Sequence, residues 1–304
     1  MPRSPPRRRP RWWPSVSAAE ERPVLIEVDG GALVAVAHLP EEFGGRGVLM
    51  VPGAPQYRAG PHRLFVDLAR HLANHGVAVL RMDRRGYGDS DGPVTGFEDA
   101  GPELAAAVEA LRREAGVSDI TILGLCDGAS AALLHGTRLA GVSGLVLLNP
   151  WARTEQAAAR ALLGSYYLPR LLRWRRWLAA ASSFARFRGA LGGLAGALLD
   201  GLRAGGRGAE PPGFVADMLR HLVEFRGASL LVLSGRDLTA AEFDEVVRRT
   251  LSWPVLQRTG DVAVAHLKEA DHTFSSRQQK ALLAETILHW LNETGPAGSG
   301  AGPS

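Results

Sequence analysis

One short segment constrains this chain more than any other. Residues 120–130 read ITILGLCDGAS: a β-run closes in Gly124-Leu125-Cys126-Asp127-Gly128 and passes directly into an Ala-rich helical run. A turn this tight forces strained dihedrals on its middle residue. It also brings neighbouring backbones too close for a Cβ at Gly124 or Gly128. Cys126 then stands at the N-terminus of the following helix, where the helix dipole favours negative charge on the sulfur. A strand–turn–helix with this spacing is the geometry that exposes a nucleophile, with Cys where Ser is usual. The same residues also suit a small buried cysteine in a Gly-rich turn.

The surrounding pattern decides what sheet that strand belongs to. Residues 24–28 and 32–38 read as a hairpin turning at Asp29-Gly30-Gly31. Strand patterns at 47–51, 77–82, 119–125 and 144–148 alternate with helical patterns at 62–74, 102–114 and 129–139. After Asn149-Pro150 the alternation stops, and residues 151–227 show helical, Ala-, Leu- and Arg-rich sequence with Gly breaks. It resumes with strands at 229–234 and 262–267 and helices at 240–250 and 277–291. Strands separated by helices imply a mostly parallel sheet with helices on both faces. The interruption reads as a helical lid over the carboxyl ends of the strands, where open α/β sheets bind ligands. The chain therefore divides into a disordered basic extension (1–22), a core (23–150 and 228–292), the lid (151–227) and a disordered tail (293–304).

Composition narrows the function classes. Hydrophobic residues make up 46% of the 304 positions and charged residues 22%, which excludes a mainly disordered chain. The longest apolar run, 189–199, is too short for the ~20 residues of a membrane-spanning helix. Arg7, Arg8 and Arg9 lack the apolar stretch that an export signal needs next. Cys126 is the single cysteine, so no disulfide can form within the chain, and a lone thiol fits a reducing cytoplasm. Residues 1–22 hold six Arg against two Glu, and 151–227 twelve Arg against five acids, so the rest of a chain of net charge +4 is acidic. That distribution argues against a nucleic-acid-binding core. Within the basic segment, 166–188 (YYLPRLLRWRRWLAAASSFARFR) interleaves Arg with aromatic and Leu residues. The pattern suits the solvated outer face of a lid, and it equally suits peripheral contact with an anionic membrane surface.

A nucleophile needs a base and an acid that orients it, in the chain order nucleophile, acid, base for this kind of sheet. Asp237 follows the strand in SLLVLSGRD, and His272 follows the strand in VAVAHLKEADH. Taken singly, Asp237 also suits a helix cap and His272 a solvated loop. The acid motif Gly235-Arg236-Asp237 is one residue shorter than the commoner Gly-x-x-Asp, which keeps Asp244 as a second candidate. An oxyanion hole needs two backbone N–H donors. One is Asp127, next to the nucleophile; the other lies in Pro52-Gly53-Ala54-Pro55, where Pro55 has no N–H and Ala54 is left. An Asp127 carboxylate aimed at Cys126 would oppose the helix dipole. The turn at residues 83–90, DRRGYGDS, reads as a structured loop beside the site. The remaining histidines show no metal-ligand spacing.

Together these residues resemble the α/β-hydrolase fold over about residues 23–291. The segments GAPQYRAGPHRLFVDLAR, RMDRRGYGDSDG, GLCDGASAALL, LVLLNPWART and LSGRDLTAAEF more narrowly resemble the exosortase A system-associated hydrolase 1 family. Ala54 stands where many relatives have Gly, a change that should leave its N–H available. The apex cysteine is also similar to that of dienelactone hydrolases, whose elbow otherwise differs. The resemblance implies a hydrolase tied to bacterial exopolysaccharide and exosortase gene sets. The expected reaction is acyl transfer from a small-molecule ester or thioester to water, with Cys126, His272 and Asp237 as triad and no cofactor or metal. The alternatives are transfer of the acyl group to a polysaccharide hydroxyl, and a non-catalytic scaffold that kept the fold. Neither pattern nor resemblance bears on oligomeric state.

Overall fold

The fold is that of a computed structural model and is described for residues 19–152, 213–250 and 261–294. Strands β1 (Glu20–Val28) and β2 (Gly31–Leu39) form the hairpin, with Val28 paired to Gly31 across the turn. Burial alternates along both: Val24 and Ile26 on β1, then Leu33, Ala35 and Ala37 on β2, are buried, as befits strands with one solvated face. The remaining strands are β3 (Arg46–Val51), β4 (Ala78–Met82), β5 (Asp119–Leu125), β6 (Val142–Leu148), β7 (Ala228–Ser234) and β8 (Val262–Leu267). They assemble into one eight-stranded sheet in the order β1-β2-β4-β3-β5-β6-β7-β8. β2 runs antiparallel to β1 and β4, and every pairing from β4 to β8 is parallel.

The helices are α1 (Leu64–Ala73), α2 (Gly101–Ala115), α3 (Asp127–His135), α4 (Gly213–Glu224), α5 (Leu238–Thr250) and α6 (Arg277–Glu293). They cover both faces because the central strands are apolar on both. β3 sends Leu49 and Val51 into a cluster with Leu104 and Val108 of α2, Ala132 of α3, Met218 of α4 and Phe243 of α5. It sends Val48 and Met50 into the other, with Phe65 and Leu68 of α1 and Ile287 and Trp290 of α6. Helix α6 starts with a reciprocal capping box, Ser276 with Gln279, which satisfies two end donors. Among the described residues no helix is long and apolar enough to cross a membrane.

Two expected boundaries shift. β1 begins at Glu20, three residues inside the segment expected to be a disordered extension. Charge pairing anchors it where apolar content is lacking: Arg22 bonds Glu20 and Glu114, and Glu21 bonds Arg70 of α1. At the other end of the expected lid, α4 packs against α3 and contributes Val215, Met218, Leu219 and Leu222 to the core beside the sheet. An apolar helical stripe fits a lid and a core helix equally well, and only the packing distinguishes them. The rest of the expected lid, and the basic 166–188 stretch with it, lies outside the described residues, as do the first 18 residues and the tail from 295.

Candidate active site at the carboxyl ends of the strands

Parallel strands β5, β6, β7 and β8 end on one edge of the sheet, and the chemistry-bearing residues gather there. At the tip of β5, Cys126 has φ 58° and ψ −123°, and α3 starts at the next residue. The glycines on either side explain why the turn closes. A Cβ at Gly124 would sit 2.4 Å from the carbonyl oxygen of Gly128, and one at Gly128 would sit 2.5 Å from that of Val51. The Cys126 N–H donates to the Leu148 carbonyl at 2.9 Å, which ties the apex to the end of β6. Cys126 itself is half-buried. The Trp151 N–H donates to the Cys126 carbonyl at 3.3 Å, and the Trp151 ring stacks on Phe214 with centroids 5.6 Å apart, with Phe97 edge-on to both.

The loop after β7 is pinned to the loop after β8. Gly235 N–H donates to the Leu267 carbonyl and Arg236 N–H to that of Ala270, each at 2.9 Å. This pinning delivers Asp237, despite its shortened motif, to His272. Asp237 Oδ2 lies 2.7 Å from His272 Nδ1, with the aspartate side chain 6% exposed. The Asp237 carboxylate also accepts from the N–H groups of Thr239 and Ala240, so it caps α5 while it holds the imidazole. His272 is pushed up to about 10 by its hydrogen bond to Asp237 first and by a second to the Cys126 side chain, against the pull of burial. The structure thus joins His272 to Asp237 by a hydrogen bond and brings the Cys126 side chain near the same imidazole. Asp244 is engaged elsewhere, bonding Arg248 at 2.9 Å one turn along α5.

One of the two expected oxyanion donors, the Ala54 N–H, is already engaged. Ala54 N–H donates to Asp127 Oδ1 at 2.8 Å. The Asp127 carboxylate is turned toward that loop and toward Arg84, whose Nη1 lies 3.4 Å from Oδ2. The expectation that the Ala54 N–H stays available is therefore corrected: the neighbour's own carboxylate has taken it. Burial pushes the Asp127 carboxyl above its ordinary value, opposed by Arg84 and by the N–H groups of Ala54, Gly128 and Asp127 itself.

Three contributors escaped the sequence reading. Arg84 follows β4 and is 1% exposed. The 83–90 loop aims it: Asp83 is buried, bonds the guanidinium of Arg58 and accepts from the N–H of Asp89 at 2.9 Å. Asn149, at the end of β6 with φ 46°, donates to Ser234 Oγ at 2.9 Å and to the His272 carbonyl at 3.1 Å, bracketing β6, β7 and the histidine loop. Ser130 Oγ donates to the Trp151 carbonyl at 2.7 Å and ties α3 to the same edge. The Asn-Pro pair after a strand was the one available signal for Asn149, since Asn tolerates positive φ. Among the described residues no cluster of three or more His, Cys, Asp or Glu could hold a metal ion.

Residues 48–294 match the alpha/beta hydrolase family. No curated protein matches the chain in sequence. Among solved structures, an esterase of Pyrococcus furiosus is similar at TM-score 0.63 and 19% identity, over 96% of this chain and 98% of that one. An α/β serine hydrolase without a lid from Xanthomonas campestris is similar at TM-score 0.54 and 15% identity, over 91% and 96%. A Butyrivibrio proteoclasticus protein solved with ferulic acid bound is similar at TM-score 0.57 and 17% identity, over 89% and 98%. At such identities the likeness speaks for the fold.

Proposed function

The chain belongs to the alpha/beta hydrolase family and is a hydrolase by that membership; on this premise we propose that it cleaves a small-molecule ester or thioester through a Cys126-His272-Asp237 triad. The observation that carries the reading is His272, which hydrogen-bonds Asp237 at 2.7 Å and whose pKa is raised by Asp237 and by the Cys126 side chain near it. The sulfur attacks the acyl carbon with the proton of the Cys126–His272 pair already resting on the imidazole, whose pKa is raised to about 10. His272 then gives that proton to the departing alkoxide or thiolate. In the second half water attacks the acyl-cysteine, passes a proton to His272, and the carboxylic acid leaves as the Cys126–His272 pair is restored. Asp237 holds the imidazole through Nδ1 and stabilises its charged form. The Asp127 N–H, first in α3, supplies oxyanion support, and the Ala54 N–H joins it once the Asp127 carboxylate lets go.

A thiol attacks readily and also leaves readily, so the tetrahedral intermediate partitions backward unless the other leaving group is good. Activated esters and thioesters therefore outrank amides as substrates. The segment resemblances given above support a place in exosortase-associated exopolysaccharide metabolism, and the lone thiol supports a cytoplasmic site of action. The basic segment adds a peripheral contact with an anionic membrane surface to this reading.

Intact-mass measurement after exposure to p-nitrophenyl acetate and a panel of acyl thioesters tests it. The expected result is an acyl adduct on Cys126 that discharges in water, with turnover falling at least ~10³-fold in Cys126→Ala. An adduct that persists until a polysaccharide hydroxyl is supplied identifies an acyltransferase. Unchanged turnover in Cys126→Ala would falsify the triad.

A further inference from the structure

The Asp127 carboxylate lies beside the nucleophile's own side chain. Its Oδ1 takes the Ala54 N–H at 2.8 Å. That N–H is one of the two that an acyl oxyanion would use. Asp127 itself opens α3, where the helix N-terminus favours anions. Gly53 makes the room: a Cβ there would meet Asp127 Oδ1 at 2.7 Å and Cys126 Cβ at 3.1 Å. The carboxylate oxygen and the nucleophile's own side chain therefore border the same small volume.

On the far side of the carboxylate lies Arg84. Its Nη1 reaches Asp127 Oδ2 at 3.4 Å, a long contact, while its Nη2 donates to the carbonyls of Thr95 and Gly96 at 3.3 and 3.0 Å. Its Nε is buried and has no hydrogen-bond partner.

We infer that the Asp127 carboxylate is the resident occupant of the oxyanion hole, which an incoming acyl carbonyl must displace. The inference rests on Cys126 being the acyl-transfer nucleophile. The carboxylate holds the Ala54 N–H through Oδ1 and lies near Arg84 Nη1 through Oδ2, and rotation of the one side chain frees the Ala54 N–H. A ground-state carbonyl carries only partial charge and competes poorly for that N–H. A carbonyl that develops full oxyanion charge competes on equal terms. Asp127 thereby acts as a specificity-determining residue, favouring acyl donors whose tetrahedral adduct forms easily and holding the site closed to unactivated esters.

The test separates two reactions of one sulfur. Acetylation by p-nitrophenyl acetate forms the S–C(acyl) bond, expels p-nitrophenolate and passes through an oxyanion. Alkylation by iodoacetamide forms an S–CH₂ bond, expels iodide and has no oxyanion. Both rates at Cys126 are measured by mass spectrometry in the wild type, Asp127→Ala and Asp127→Asn, with far-ultraviolet circular dichroism confirming the fold. The ratio of acetylation to alkylation is expected to rise about 10-fold or more in Asp127→Ala, and by a smaller factor in the isosteric Asp127→Asn. A ratio that stays constant or falls in both variants overturns the inference, because Asp127 then acts only by its charge or as a helix cap. If p-nitrophenyl acetate leaves no acetyl group on Cys126 in any form while iodoacetamide labels it in all, the nucleophile reading itself is overturned, and this inference with it.

Discussion

His272 is the residue whose protonation most strongly links this site to stability. Its rise from an ordinary 6.5 to about 10 means that the folded chain holds a proton there which the unfolded chain releases. Stability from a raised group is fully present below about 6.5 and is lost as pH climbs through about 10, so the folded state should weaken across that window. Thermal melts from pH 6 to pH 10 should fall steeply in the wild type and more gently in His272→Gln and Asp237→Asn. Identical slopes in all three would remove the Asp237–His272 hydrogen bond as the cause. At this scale the sequence revealed a good deal. Cys126, Asp237 and His272 each follow a recognisable strand run, so their arrival at one edge could be read from order alone. The direction of the Asp127 side chain could not, because sequence gives a neighbour and not a rotamer. Asn149 also stayed hidden: its partners Ser234 and His272 lie 85 and 123 residues away.

Elements place these residues, and the β5–α3 junction is the tightest of the placements. The strand and helix there were legible because the strand run is continuous, and the glycines flanking the apex are required by backbone approach rather than by sequence fashion. Adding one methyl at Gly128 would put a carbon 2.5 Å from the Val51 carbonyl oxygen, with only backbone to yield. Gly128→Ala should therefore cost about 2–3 kcal/mol or more in urea denaturation. Gly96→Ala is the matched comparison. Its φ is −68° and the nearest atom to a new Cβ is 3.9 Å away, so its effect should stay within about 0.5 kcal/mol. Equal effects at the two positions would mean that the elbow relaxes, and that Cys126 need not hold positive φ. Element ends were harder to read than elements. β1 reaches back to Glu20 through ion pairs with partners on other elements, and α4 belongs to the core through packing that a periodic stripe does not reveal.

For the whole molecule, the distribution of charge carries information that the net value of +4 conceals. Parallel-sheet architecture was legible because alternation of strand and helix admits few topologies. What the molecule's surface meets is a separate matter, and the contrast between a basic 151–227 segment with twelve Arg against five acids and an acidic remainder bears on it. A chain with charge uniformly spread would show little preference between neutral and anionic bilayers. A chain with its Arg gathered in one segment, interleaved with Trp174, Trp177, Leu171 and Leu172, can offer basic side chains to headgroups and apolar ones to the acyl boundary. Such contact is peripheral and screened, since the Debye length at physiological salt is about 8 Å. The expected outcome in vesicle co-sedimentation is binding to phosphatidylserine-containing vesicles at low salt, none to pure phosphatidylcholine vesicles, and loss of the anionic binding as salt approaches the physiological level. Replacing Arg173, Arg175 and Arg176 together by Gln should abolish the difference between the two lipids while leaving p-nitrophenyl acetate turnover in solution unaltered. Equal and poor sedimentation with both vesicle types at low salt would assign those arginines to solvating the surface alone.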